Sequence, residues 1–114
     1  MSTARMRRVD EAMRQVLGDA LARDLKDPRI GFVTVTDVKT SPDLRHARIY
    51  VSVLGTPPEQ EATLDGLRSA HGFLQGRVAS ELRLKRTPEL TFELDHTAEH
   101  AARLERLIEE AGGA

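Results

Sequence analysis

At 114 residues the chain is the size of one domain, and its 39% hydrophobic content, mostly aliphatic, suffices for one core without staples. The absence of cysteine excludes disulfides and thiolate metal sites, and a net charge of −1 argues against a uniformly basic nucleic-acid binder. From Met1 to Val16 the arginines mix with Asp10 and Glu11, unlike a signal peptide, and no stretch approaches the roughly 20 apolar residues of a membrane span. A cytoplasmic location is expected.

Val9, Met13, Val16, Leu17, Ala20 and Leu21 recur at spacings of three and four, which predicts an amphipathic helix with Arg7, Arg14 and Gly18 on its outer face. Pro28 is expected to end it, within a turn Asp27–Gly31. The β-branched run from Phe32 to Val38 predicts a strand, and Thr40-Ser41-Pro42-Asp43 a turn. Ala47, Ile49, Val51 and Val53 then alternate with Arg48, Tyr50, Ser52 and Leu54, a half-buried strand that completes an antiparallel hairpin.

Gly55-Thr56-Pro57-Pro58 breaks the chain. Leu64, Leu67, Leu74, Val78 and Leu82 continue in a helical pattern that contains Gly66, Gly72 and Gly76. Each glycine costs about 1 kcal/mol relative to alanine inside a helix, so a kink or a close backbone approach is expected, with the break at Ser69-Ala70-His71-Gly72. Leu90, Phe92 and Leu94 alternate in a third strand, which the two-helix connection leaves free to pair elsewhere than beside its predecessor. A last helix, using Ala101, Leu104, Leu107 and Ile108, would start at an N-cap Thr97 and stop at Gly112-Gly113. The order α-β-β-α-α-β plus a C-terminal helix makes a two-layer α+β domain.

Charge is unevenly spread. From Arg68 to Pro88 the bases Arg68, Arg77, Arg83, Lys85 and Arg86 oppose only Glu81, whereas acids dominate from Glu89 onwards. Such asymmetry gives a neutral protein a basic working face. Arg83-Leu84-Lys85-Arg86, at the predicted end of the third helix, fits either a cationic helix C-terminus or phosphate contact. Arg7 and Arg14 share a helix face with Glu11 between them, so intrahelical ion pairs compete with RNA contact. Arg5 and Arg8 belong to an end that could fray and order on RNA. Lys26 and Arg29 flank Pro28, where Arg29 could instead pin the turn.

Three catalytic patterns are set aside. His96-Thr97-Ala98-Glu99-His100 has the H-x-x-E-H form of a zinc protease, but a Thr97 cap would put His96 outside the helix, and a third ligand and a cleft are lacking. Ser41, Asp43 and His46 surround a turn without a nucleophile elbow, and no phosphate-binding loop with its lysine occurs.

Lys26-Asp27-Pro28-Arg29-Ile30-Gly31-Phe32-Val33-Thr34-Val35-Thr36-Asp37-Val38 resembles a signature of the ribosome-binding factor A family. So do Ser41-Pro42-Asp43-Leu44, Ala47 through Gly55, Ala70-His71-Gly72-Phe73-Leu74, Leu82 through Phe92, and Asp95, in the right order from about Arg5 to Ile108. The resemblance implies a type II KH-like RNA-binding domain over residues 1–95, with residues 96–114 an acidic helix packed on it or trailing it. It also implies a non-enzymatic, cofactor-free, monomeric factor that binds the small (30S) ribosomal subunit and 16S rRNA during late maturation, with a role in rRNA processing and cold adaptation. Neither a membrane nor a small-molecule substrate is expected.

Ala70-His71-Gly72 stands where other KH domains carry a GxxG loop that clamps a nucleic-acid backbone, which favours recognition of rRNA shape over a single-strand grip. Small residues at Ala70 and Gly72 serve either a packing kink or a close approach of rRNA, and His71 either solvent or RNA. Under the resemblance the expected RNA contacts are Arg5, Arg7, Arg8, Arg14, Lys26, Arg29, Arg68, Ala70, His71, Gly72, Arg77, Arg83, Lys85 and Arg86, with no catalytic or metal-binding residue. The competing reading is a protein-interaction adaptor working through the acidic C-terminal helix.

Overall fold

The computed structural model describes residues 3–97 and residue 109. Its first helix, α1, spans Ala4–Arg23, and Thr3 caps it by accepting the Met6 amide at 3.1 Å. Arg5 and Arg8 are therefore held in regular helix, not in a frayed end. The C-terminus differs from expectation. The helix stops at Arg23, well before Pro28, because the Leu25 amide turns back onto the Ala20 carbonyl (3.1 Å) and Leu25 and Ile30 fold in against the core.

Strands β1 (Val33–Thr40) and β2 (His46–Val53) form the expected antiparallel hairpin. Phe32 falls outside β1 and is 82% exposed, although its carbonyl still accepts the Leu54 amide. Within β1 the register slips between Val35 and Asp37, a bulge at Thr36 that lets Val35 and Val38 both face inward. The bulged Thr36 hydroxyl lies 2.6 Å from the Asp95 carboxylate and 3.2 Å from the Tyr50 carbonyl.

That hydroxyl, followed by the Thr97 side chain and amide, holds the Asp95 carboxyl down to about 2. Its ordinary value is 3.8, so its contribution to stability is complete above about pH 4 and is lost as pH falls towards about 2. Asp95→Asn is accordingly expected to be less stable than the parent near neutral pH. Urea midpoints of the two proteins should converge as the solution is acidified through that window; a constant gap would contradict this role.

Helix α2 (Pro57–Ser69) begins with a capping box, in which the Thr56 hydroxyl accepts the Glu59 amide and the Glu59 carboxylate accepts the Thr56 amide. Pro57 and Pro58 are thus the first residues of the helix rather than part of the break, since their missing amides are no loss in its first turn. Helix α3 (His71–Leu82) follows after a one-residue hinge at Ala70, where the break was expected. Strand β3 (Glu89–Leu94) then pairs in parallel with β2, giving the sheet order β1-β2-β3. The two-helix crossover brings the third strand back beside its predecessor after all.

The result is two layers, an α+β domain with the expected element order. Val35, Val38, Ala47, Ile49, Val51, Leu90 and Phe92 line the inner sheet face, and Met13, Leu17, Ala20, Leu67, Leu74 and Val78 cover it from the helices. At the edges of this core, polar groups tie elements together. Asp10 of α1 accepts hydrogen bonds from the Thr40 amide and hydroxyl, and Gln75 of α3 bridges the Pro88 carbonyl (2.6 Å) and the Leu90 amide (3.2 Å).

The segment before β1 docks on α2. Buried Thr63 donates to the Arg29 carbonyl (3.2 Å) and accepts from the Gly31 amide (3.3 Å). One turn on, a Cβ at Gly66 would lie 2.6 Å from Ile30 Cγ1, whereas a Cβ at Gly72 or Gly76 would meet nothing within 4 Å. The three glycines therefore differ. Gly66→Ala is expected to cost about 1–3 kcal/mol through overpacking, less the helix-propensity gain, while Gly76→Ala gains up to about 1 kcal/mol. Denaturant titrations of the two variants should move in opposite directions.

Residue 109 is helical and exposed; the rest of the expected C-terminal helix, residues 98–108 and 110–114, lies outside the described residues. Among the described residues, no helix is long and apolar enough to cross a membrane.

Candidate nucleic-acid interface

Three connections meet at one end of the sheet: the start of α1, the β1–β2 turn and the segment joining α3 to β3. The Glu89 amide donates to the Arg45 carbonyl at 2.8 Å, which fastens the last of these to the turn. Arg5 and Arg8, with Val9, Ala12, Leu82 and Leu84, line a hollow of about 230 Å³. A second hollow of about 190 Å³ shares Arg5 and Val9 and adds Thr3, Met6, Pro42 and Leu44. Among the described residues, neither lining contains an acidic one.

Exposed Arg83, Lys85 and Arg86 flank Leu84 in sequence, so Leu84 in the hollow brings this basic segment to the start of α1 that carries Arg5 and Arg8. α3 ends at Leu82, and Arg83 follows it in the left-handed conformation (φ 48°). Lys85 and Arg86 are thus beyond the helix, not in its last turn, which weakens the reading of them as counter-charges to the helix dipole. Leu44, in the second hollow, is the other non-glycine residue with positive φ among the described residues (φ 59°). Both strained residues therefore lie at this end, as strain often does at working sites.

Among the described residues, Arg5, Arg8, Arg83, Lys85 and Arg86 make no ion pair. The other expected contacts are distributed differently. Arg7 and Arg14 face a separate hollow of about 230 Å³ with Asp10, Glu11, Asp37 and Lys39. Arg14 bonds Glu11 (Nε at 2.9 Å), which holds that carboxyl below its ordinary value. Arg29 pins the turn by gripping Asp27 at 3.1 and 2.7 Å, and its hydrogen bonds lower that carboxyl. Lys26 is exposed and unpaired among the described residues, but with Arg29 it precedes β1, at the far end of strands about 25 Å long.

Arg77 is a strut between helices. It bonds Asp24 beyond the end of α1 and, at 3.0 Å, Glu81 within α3, and Asp24 raises its affinity for the proton. Arg68 approaches Glu61 and Asp65 at 3.7 Å. His71 is not a solvated helix histidine: its half-buried ring places Nε2 3.2 Å from the Glu89 carboxylate. Ala70 packs against the core, and Gly72 is exposed with open space above it.

Of the sequence patterns set aside for catalysis, Ser41, Asp43 and His46 resolve into turn chemistry. Ser41 Oγ donates to Asp43 at 2.6 Å and accepts the His46 backbone amide at 3.1 Å, so no imidazole activates it. Asp95 accepts the Thr97 backbone amide at 2.9 Å, while the helix that Thr97 was expected to cap lies, residue 109 apart, outside the described residues. Of the H-x-x-E-H pattern, Glu99 and His100 lie outside the described residues. The residues that can do chemistry here are cations aimed at solvent, suited to phosphate.

The family model for ribosome-binding factor A matches residues 5–108. The chain belongs to the ribosome-binding factor A family. A Thermotoga maritima candidate ribosome-binding factor A, solved by NMR, is 38% identical and superposes with a TM-score of 0.73 over 82% of this chain and 89% of its own. The Thermus thermophilus ribosome-binding factor A crystal structure is 26% identical, with a TM-score of 0.69 over 78% of this chain and 94% of its own. A homology model of the Thermus thermophilus factor, fitted into a cryo-EM map of a 30S complex, is 27% identical with a TM-score of 0.64, over 75% of this chain and 90% of its own. The α+β order and the parallel β2–β3 pair described above accord with the type II KH-like arrangement that the resemblance implies.

Some candidates escaped the sequence reading. Lys39 and Arg48 lie on the outer sheet face, and Arg45 sits at the basic end, 4.0 Å from Asp43. The alternation Arg48-Tyr50-Ser52 was the available signal, since it places these side chains opposite the core.

Proposed function

We propose that the chain is an assembly factor of the small ribosomal subunit, holding precursor 16S rRNA in one conformation during late maturation. It acts in the cytoplasm by occupancy rather than by catalysing a step. The observation that carries this reading is that Arg5 and Arg8 line hollows beside Leu84, which exposed Arg83, Lys85 and Arg86 flank in sequence, and that among the described residues all five cations are without an ion pair. Family membership and the fit of a Thermus thermophilus relative into a 30S complex support the choice of partner. With a net charge of −1, only a local cluster supplies the attraction to phosphate.

Of the remaining expected contacts, we assign a lesser share of RNA contact to exposed Arg7, Lys26, Arg68 and Gly72, since Arg14, Arg29 and Arg77 are engaged by carboxylates, His71 lies beside Glu89, and Ala70 packs against the core. Misfolded rRNA escapes slowly at low temperature, so the need for such a factor grows in the cold, and rRNA processing falls behind when it is absent. In gradients the purified protein is expected to travel with small subunits at low salt, to bind full ribosomes poorly, and to be released as salt rises. Protein left at the top of the gradient at low salt would overturn the reading.

A further inference from the structure

The outer face of the sheet carries a second hollow-lined feature with its own chemistry. β2 turns His46, Arg48 and Tyr50 away from the core, and β1 and β3 place Lys39, Thr91 and Glu93 beside them around a broad hollow of about 640 Å³. In register, Arg48 sits between Lys39 and Thr91, and Tyr50 between Asp37 and Glu93. The flanking side chains of Tyr50 are therefore polar or charged, and its ring is not part of an apolar cluster. Among the described residues no helix packs on this face.

Two cations attend the ring. The Lys39 ammonium lies 6.0 Å from its centroid, at the outer limit of a cation–π contact, and Arg48, two residues before it on the same face of β2, is held more firmly protonated by the Tyr50 side chain and Glu93. An aromatic ring on an open strand, flanked by cations, is a combination by which proteins hold unpaired bases. The ring stacks on the base and the cations take the adjoining phosphates. The Glu93 carboxylate in the same hollow can accept a base amino group.

We infer that Tyr50, with Lys39 and Arg48, forms a stacking subsite for an unpaired nucleobase of single-stranded RNA on the outer sheet face. It rests on the rRNA-binding reading but is spatially and chemically separate from the basic end: stacking needs a ring, and that end offers none. A single-stranded segment would be held here, on the sheet, in a domain whose helix–helix junction lacks the GxxG clamp.

Tyr50 is the chain's single tyrosine and tryptophan is absent, so tyrosine emission reports this site alone. The full chain is titrated with a short unstructured oligocytidylate carrying a fluorescein label, and anisotropy is followed beside tyrosine emission. Anisotropy should rise and tyrosine emission fall with one midpoint. Tyr50→Phe should retain binding and Tyr50→Ala weaken it about tenfold, both with unchanged circular dichroism. Rising anisotropy with constant tyrosine emission, or equal affinity of Tyr50→Ala and the parent, would overturn the subsite. So would a complete lack of oligonucleotide binding, and in that case co-sedimentation with small subunits still judges the rRNA reading separately.

Discussion

Replacing Arg5, Arg8, Arg83, Lys85 and Arg86 together by alanine is expected to weaken binding to the small subunit by about a thousandfold, or roughly 4 kcal/mol in all. Each cation that neutralises a phosphate releases condensed counterions, so the variant's log affinity should also depend less steeply on log salt, by about four units of slope. All five side chains are exposed and make no ion pair among the described residues, so their loss leaves the fold intact. A control variant, Arg14→Ala with Arg29→Ala, removes cations already committed to Glu11 and Asp27 and should bind nearly as the parent does. Titration of labelled protein with small subunits across a salt series measures both quantities. Losses in log affinity in proportion to the charges removed, five against two, would mean that total charge, not the cluster, sets the affinity.

The largest effect on stability is expected from Leu74→Ala. Leu74 is completely buried in α3, where the helix meets the core beneath the sheet. Deleting its isobutyl group loses transfer energy and leaves a cavity, together about 2–5 kcal/mol. A domain of this size has only about 5–15 kcal/mol in total, so the variant approaches its unfolding threshold at physiological temperature. Because α3 carries Leu82 and Leu84 to α1, rRNA binding should fall with folded fraction and recover when folding is restored by cooling. Phe32→Ala makes the opposite case: a larger side chain, but 82% exposed, with an expected change within about 0.5 kcal/mol. Urea denaturation followed by circular dichroism ranks the two.

Phe32 shows where sequence patterns stop being informative. It heads a β-branched run and so reads as the first strand residue, yet the inner face begins at Val33, so position 32 faces away from the core. The helical spacing from Val9 to Leu21 and the alternation from Ala47 to Val53 were legible because burial itself imposes those periods. The bulge at Thr36 was present as well, in the three-residue spacing of Val35 and Val38, but that spacing looks like irregularity until Val51 and Tyr50 are seen opposite. Parallel pairing of β3 was not legible, since it depends on how α2 and α3 cross the sheet.

The candidate site was legible as a list of cations and not as a place. Glu11 beside Arg14 could be read from local spacing. Asp24 beside Arg77 could not, being 53 positions away, and neither could Glu89 beside His71. Only the packing of α3 on α1 separates cations that hold the fold from those left free, and brings Arg5 and Arg8 to Leu84.

Site-directed photo-crosslinking on immature small subunits tests the account most directly. A crosslinking residue at Lys85, in the basic end, should capture 16S rRNA, whereas one at Leu54, 77% exposed at the opposite end of β2, should capture little. Strong capture from Leu54 with none from Lys85 would contradict the assignment of the rRNA-binding surface.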